Sequence, residues 1–345
     1  MPRKRVLITG ITGQDGAYLA KLCLDSGDLV VGAYRHVASA SFWRLEELGI
    51  INHPNLLFEE FDLTDPASCI RLIKKTKPDE IYNLAAQSFV STSFTQPATT
   101  AHTTGFGAVN LLEAMRTEAP DSRFYQASTS EMFGKSQFSP QDEQTPFYPR
   151  SPYAAAKAYA HWMVVNYREA YGLHCVSGIL FNHESPLRGN EFVTRKITQS
   201  VASIARGSDT VLELGNLDAR RDWGYAPEYV EGMRLMLKAE VPSNYVLATG
   251  KTSSVREFVS MAFNAIDQQL EFVGTGLDEV AVDRRTGKPR VKISAHFFRP
   301  SDVDTLVGNP GRAASELKWV ATTGLDSLCQ LMVAADLHRI ENRRG

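Results

Sequence analysis

One segment, Arg5-Val6-Leu7-Ile8-Thr9-Gly10-Ile11-Thr12-Gly13-Gln14-Asp15-Gly16, constrains the chain more than any other. An apolar run of strand length stops at a glycine, and two more glycines follow at intervals of three. A stretch with Leu19, Leu22, Cys23 and Leu24 as an apolar face begins directly after them. In a strand, glycine turn, helix unit the first glycine allows a tight turn, the second lets backbone amides approach a pyrophosphate, and the third lets the helix pack on the strand. Gly10, Gly13 and Gly16 stand at those positions. Thr12, Gln14 and Asp15 lie between them, where a helix N-terminus favours anions. A ligand-free glycine turn is the plainer alternative.

The unit is the first of a series. Strand-like runs at residues 29–34, 56–61, 80–85 and 123–128 are separated by helix-like stretches such as 66–75 and 109–118. Strands alternating with helices predict an α/β fold, a doubly wound parallel sheet covered on both faces, with ligands at the carboxyl ends of its strands. After a further strand at 176–181 the regularity loosens. Helices are predicted at 192–204, 255–266 and 325–339, a returning strand at 245–248, and a hairpin or insertion at 272–293. The expected organisation is a dinucleotide-binding domain over 1–181, with a returning segment near 217–248. A smaller, partly discontinuous substrate domain is expected over 182–216 and 249–345.

The 345 residues suffice for such a pair of closely joined lobes, and 43% hydrophobic with 22% charged residues is ordinary for a globular protein. A net charge of -2 argues against binding nucleic acid through bulk electrostatics. Cys23, Cys69, Cys175 and Cys329 are scattered without metal-type spacing, so no metal centre is expected. No apolar run approaches the ~18 residues of a membrane span. Residues 1–5 lead straight into a strand without a secretory pattern, so a reduced, cytoplasmic location is expected.

Candidate ligand contacts follow from strand ends. The second strand closes on Tyr34-Arg35-His36, with no carboxylate nearby. An arginine there suits a ribose 2′-phosphate, so NADP is expected over NAD, unless Arg35 is only a solvated charge. Asp62 and Leu63 follow the third strand; Asp62 either accepts from an adenine amino group or caps the next helix. Leu84, Ala85, Ala86 and Ser88 follow the fourth, where small residues let backbone approach a cofactor. In the stretch 125–157, Thr129, Ser130 and Glu131 end a strand, and Tyr153 and Lys157 stand four apart at the head of a helix. That spacing puts phenol and amine on one helix face, where the ammonium is expected to lower the phenol's pKa toward a useful value.

These residues together resemble the extended short-chain dehydrogenase/reductase family. The resemblance rests on the glycine turn, Asn83-Leu84-Ala85-Ala86 and the Tyr153/Lys157 pair. Thr129-Ser130-Glu131 narrows it to nucleotide-sugar 4,6-dehydratases. Residues 83–90, 147–153, 182–189 and Arg221-Asp222-Trp223-Gly224 are similar to the GDP-mannose group of these. The resemblance implies a Rossmann-type sheet, NADP, a GDP-sugar substrate and a homotetramer, a dimer of dimers. It implies that Tyr153 takes the O4 proton while hydride leaves C4. Glu131 then takes the C5 proton and delivers it to the departing C6 hydroxyl, and hydride returns to C6. Thr129 would hold O4 and Ser130 would assist at the leaving oxygen, where some relatives carry aspartate.

Further implied contacts are His183 and Arg188 to the cofactor, and Asn182, Lys196, Arg221 and Arg299 to the substrate diphosphate, with Ser88 near both ligands. Asp302 stands where a glutamate for the nucleoside ribose is expected. The loop 35–44, with Phe42 and Trp43 read as exposed aromatics, is expected to reach a neighbouring subunit. Open alternatives are the same chemistry on another GDP-sugar such as a GDP-heptose, an epimerase or reductase on this scaffold, and a non-catalytic cofactor sensor.

Overall fold

In the computed structural model, which describes residues 3–36, 41–297 and 305–342, the first half alternates as its pattern predicts. The elements run β1 (Arg5–Thr9), α1 (Gln14–Asp25), β2 (Leu29–Tyr34), α2 (Trp43–Glu47), β3 (Leu56–Glu60), α3 (Pro66–Thr76) and β4 (Glu80–Asn83). Then come α4 (Val90–Thr95), α5 (Pro97–Thr100), a π-helical turn (Ala101–Phe106), α6 (Gly107–Glu118), β5 (Arg123–Thr129), α7 (Pro152–Tyr171) and β6 (Cys175–Leu180). The second half holds β7 (Asn182–Glu184), α8 (Val193–Ala205), β8 (Leu212–Leu214), β9 (Arg220–Arg221), β10 (Trp223–Tyr225), α9 (Ala226–Lys238) and β11 (Asn244–Leu247). It closes with β12 (Ser253–Ser254), α10 (Val255–Asn264), β13 (Leu270–Val273), β14 (Val280–Asp283), β15 (Pro289–Ile293), β16 (Thr305–Leu306) and α11 (Leu325–Asn342).

Seven strands form one sheet in the order β11-β6-β5-β4-β1-β2-β3, every neighbouring pair parallel. Strand alternation explains why both faces are covered. Val6, Ile8, Val30, Tyr82, Tyr125 and Val176 enter one apolar cluster with residues of α1 and α9. Leu7, Val31, Ile81, Phe124 and Cys175 enter another with α3, α6 and α7. The chain builds β1, β2 and β3 outward, then crosses back to lay β4 on the other side of β1. Ligands of such sheets gather at that switch point. Gly10 lies there at φ +72°, and a Cβ on it would sit 2.9 Å from the Ala85 nitrogen that follows β4.

The second half of the chain forms an apolar cluster of its own. Ile197, Val201, Trp223, Phe258, Val291, Leu328 and Met332 are buried together from α8, β10, α10, β15 and α11. Residues 272–293, read as a hairpin or insertion, supply the end of β13 with β14 and β15, an antiparallel meander that β8 extends in parallel. Residues 182–189, read as a loop, begin as a strand: β7 pairs in parallel with β10. Among the described residues no helix is long and apolar enough to cross a membrane.

Candidate active site

Local structure sets the reactive stretch. Ser151 caps α7 by accepting from the Ala154 amide at 3.1 Å, and Pro152 opens the first turn. Tyr153 and Lys157 therefore stand one turn apart on the face that packs against β5 and β6. β5 ends at Thr129, whose Oγ1 accepts from the Glu131 amide at 3.3 Å as the chain turns through a short 3-10 helix. Tyr153 is hydrogen-bonded to the Thr129 side chain. The Ser128 hydroxyl instead pairs with His161 Nδ1 at 3.0 Å. His161 lies one turn beyond Lys157, and burial lowers its pKa to about 4.

One expectation is corrected here. Burial, with the Glu131 charge, raises the Tyr153 pKa above its ordinary 10.0, against weaker lowering by Thr129 and Arg188. The Lys157 ammonium, whose own pKa burial lowers to about 8, lies 5.9 Å from the Tyr153 ring centroid and donates to the Ala127 carbonyl at 2.7 Å. Desolvation of the phenolate outweighs the Arg188 charge nearby.

Three cavities meet around this stretch. The first is lined by the glycine turn (Gly10, Thr12, Gly13, Gln14, Asp15 and Gly16), by Leu84, Ala86 and Ser88, and by Thr129, Ser130, Glu131, Tyr153, Lys157, Asn182, His183 and Arg188. The second shares Glu131, Asn182, Arg188 and Phe192 with it and adds Lys196, Arg221 and Trp223. The third shares Gly10, Thr12, Gly13 and Ser88 with the first and adds Arg35, Asp62, Leu63 and Ala85. Every candidate among the described residues lines one or more of the three. Arg299 and Asp302 lie outside the described residues.

Many of these side chains have partners within the protein. Gln14 donates to the His183 carbonyl at 3.1 Å and accepts from Ser185 at 2.7 Å. Asp15 pairs with His183 Nε2 at 2.8 Å, while Nδ1 faces the Phe181 carbonyl at 2.8 Å and the ring stacks on Tyr229 at 4.6 Å. Burial opposes the His183 imidazolium, but the charge and hydrogen bond of Asp15 raise its pKa above 6.5. The same pairing overcomes burial to lower Asp15 below 3.8. What remains for a ligand at the turn is the backbone: α1 has no side-chain cap, so its first amides are open to an anion.

Arg188 pairs with the buried Glu184 at 3.0 Å and lies 3.6 Å from the Phe192 ring centroid. Lys196 Nζ donates to the Glu213 carbonyl at 2.6 Å and sits 3.2 Å from the Phe297 ring centroid. Asn182 Oδ1 is buried without a hydrogen-bond partner among the described residues, at the wall between the first two cavities. Asp62 closes a turn by accepting from the Thr64 amide at 2.8 Å and hydroxyl at 2.7 Å; Asp65 is the residue that caps α3.

Three features escaped the sequence reading. Arg44 donates to the Thr12 carbonyl at 2.8 Å and the Leu187 carbonyl at 2.7 Å, clamping the glycine turn to residues after β7. Its partners are backbone oxygens, which leave no trace in the sequence. A carboxylate does approach the end of β2, because parallel pairing sets Glu60 opposite Tyr34, and it engages Tyr34 and His36 at 3.0 Å each. The π-helical turn brings His102 and Thr103 to the third cavity. The reading of Phe42 and Trp43 as exposed is also corrected: both are half-buried against the first core, with Phe42 5.1 Å from the Tyr34 ring and Trp43 beneath Arg44.

The sequence model of one protein family, described as GDP-mannose 4,6 dehydratase, matches residues 7–332. The chain belongs to that family. A GDP-mannose 4,6-dehydratase of Sinorhizobium fredii is 51% identical over 99% of both chains. One from Homo sapiens is 48% identical over 97% of this chain and 92% of its own. Among solved structures, a dTDP-glucose 4,6-dehydratase of Streptomyces venezuelae with NAD and TYD bound superimposes with TM-score 0.82 at 21% identity, covering 99% of this chain and 98% of that one. A UDP-glucose 4-epimerase of Thermotoga maritima with UDP-glucose gives 0.81 at 21% identity, covering 98% and 99%. These two likenesses establish the fold that the family shares with other sugar-nucleotide enzymes.

Proposed function

We propose that the protein dehydrates GDP-mannose to GDP-4-keto-6-deoxy-mannose with NADP regenerated in each turnover. One observation carries the reading: Glu131 lines both the cavity that holds Tyr153 and the glycine turn and the cavity that holds Asn182, Lys196 and Arg221. A base at that junction can reach a sugar whose diphosphate lies on the cations while its ring faces Tyr153.

The residues fit a dinucleotide. The uncapped α1 N-terminus suits its pyrophosphate, and a Cβ on Gly16 would lie 2.4 Å from the Gly10 carbonyl, closing the turn that offers those amides. Arg35, exposed beside Asp62 in the third cavity, supports NADP over NAD, as does the engagement of Glu60 by Tyr34 and His36. A bound nicotinamide supplies a hydride acceptor, and its positive charge adds to the field that favours the phenolate.

Within that site Tyr153 takes the proton from the sugar O4, held by its hydrogen bond to Thr129. The 4-ketone acidifies the C5 proton, which Glu131 removes and then delivers to the C6 oxygen as water leaves. When C6 is then reduced, C5 takes up a proton that balances the one Tyr153 took from O4, so both residues end as they began. Ser130, buried beside Glu131, assists at that oxygen. Lys157 orients the site, Lys196 and Arg221 neutralise the diphosphate, and the Asn182 amide contacts it. We also propose a homotetramer in which residues 35–44 approach a neighbouring subunit.

The purified protein, incubated with GDP-mannose, other GDP-sugars, dTDP-glucose and UDP-glucose without added reductant, tests the reading by mass spectrometry. A product lighter by one water from GDP-mannose is expected. No such product from any GDP-sugar overturns the proposal, and tighter binding of NAD than of NADP overturns the cofactor assignment.

A further inference from the structure

We infer that Asp222 is the positioning residue of the diphosphate-binding wall, an inference that rests on the second cavity taking a nucleoside diphosphate. Its neighbours Arg221 and Trp223 line that cavity, whereas Asp222 is fully buried behind the wall. One carboxylate oxygen accepts from the Thr249 amide at 2.9 Å and the Thr249 hydroxyl at 2.7 Å. The other accepts from the Gly250 amide at 2.9 Å and the Gly308 amide at 3.3 Å.

Those donors come from two segments distant in sequence, and the same two segments flank Arg221 in a small sheet. Arg221 pairs with Ser253 of β12 on one side and with Leu306 of β16 on the other. All three strands are two residues long, too short for their own ladder to fix a register. The carboxylate joins both outer segments to the middle strand immediately after the arginine. Gly308 fits only without a side chain, since a Cβ would lie 2.3 Å from the Ala248 Cβ and 2.7 Å from the Phe181 ring. The arginine is thus aimed by a carboxylate that has no contact with the cavity. An amide in its place turns two hydrogens toward backbone N–H donors and opens the joint.

Asp222→Asn is tested by titrating GDP and NADP into wild type and variant. Expected is a loss of GDP affinity of about 10–100-fold, the scale for residues that orient a ligand-holding group, with NADP affinity unchanged and KM for the GDP-sugar rising more than kcat falls. Thr249→Val removes one of the four donors and is expected to shift GDP affinity the same way by about 2–10-fold. Unchanged GDP affinity in folded Asp222→Asn overturns the inference. If Asp222→Asn does not fold, Thr249→Val decides: loss of GDP binding alone supports it, while unchanged GDP binding or equal loss of both ligands overturns it. Wild-type protein that binds no GDP sinks the underlying reading, and the inference with it.

Discussion

Replacing Glu131 by glutamine keeps the size of the side chain and its place between the two cavities while removing the base. The dehydration rate is expected to fall by about 10²–10⁴-fold, the usual weight of a positioned acid–base group, with NADP affinity retained; near-normal formation of the 4-keto-6-deoxy sugar contradicts the role. Lys157 makes an opposite prediction for stability. Burial holds its pKa near 8 rather than 10.5, so the charged form is disfavoured in the fold. Between pH 8 and 10.5 the unfolded chain binds more protons, so stability rises with pH across that window and the cost is full below it. Lys157→Met is therefore expected to abolish turnover and raise stability by about 1–2 kcal/mol at pH 7, read as a higher Tm; a lowered Tm contradicts the cost assigned to the buried charge. Lys157 was legible in the sequence because its spacing from Tyr153 and the glycine turn pair it with a phenol in a dinucleotide fold, and Glu131 because the resemblance of Thr129-Ser130-Glu131 singled it out at a strand end. The phenol's raised pKa was not, because desolvation depends on burial that spacing does not report.

At the scale of elements, the glycine turn is tethered to β7 and the segment behind it. Gln14 and Asp15 from α1 bind His183 and Ser185, and Arg44 ties Thr12 to Leu187. The glycine turn and β7 are one unit, so Asp15→Asn is expected to cost roughly 3 kcal/mol, the low end for breaking a buried ion pair, and, on the proposed function, to weaken NADP binding. The sign with pH follows from the two shifts. The His183 pKa is raised, so its contribution is full below 6.5 and is lost as pH rises through its folded value. The Asp15 pKa is lowered, so its contribution is full above 3.8 and is lost as pH falls through its folded value. The Tm gap between wild type and Asp15→Asn is expected to be widest between those limits and to narrow above the His183 pKa; a gap independent of pH contradicts the pairing. Parallel strands were easy to read because burial on both faces makes them apolar runs. β7 was not, since it is three polar residues whose partner, β10, begins 41 positions after β7 does.

The whole molecule places three adjoining cavities at the switch point of one sheet, with elements of the second half lining the far wall. The central architecture was legible because regular alternation admits few topologies. The small sheet β12-β9-β16 was not foreseen, because its pairings join segments far apart and depend on contacts such as those of Asp222. Over 272–293 a hairpin was one of two readings, but the addition of β8 from residues 212–214 was not foreseen. A tetramer is expected by light scattering at micromolar concentration; a monomer contradicts the proposed role of residues 35–44. The central claim is a redox-neutral loss of water within one site. GDP-mannose carrying deuterium at C4 tests it directly, in buffer without added reductant. Deuterium retained in the dehydrated product, at C6, is the result this account predicts; dehydration with the label lost to solvent, or oxidation at C4 with no water lost, contradicts it.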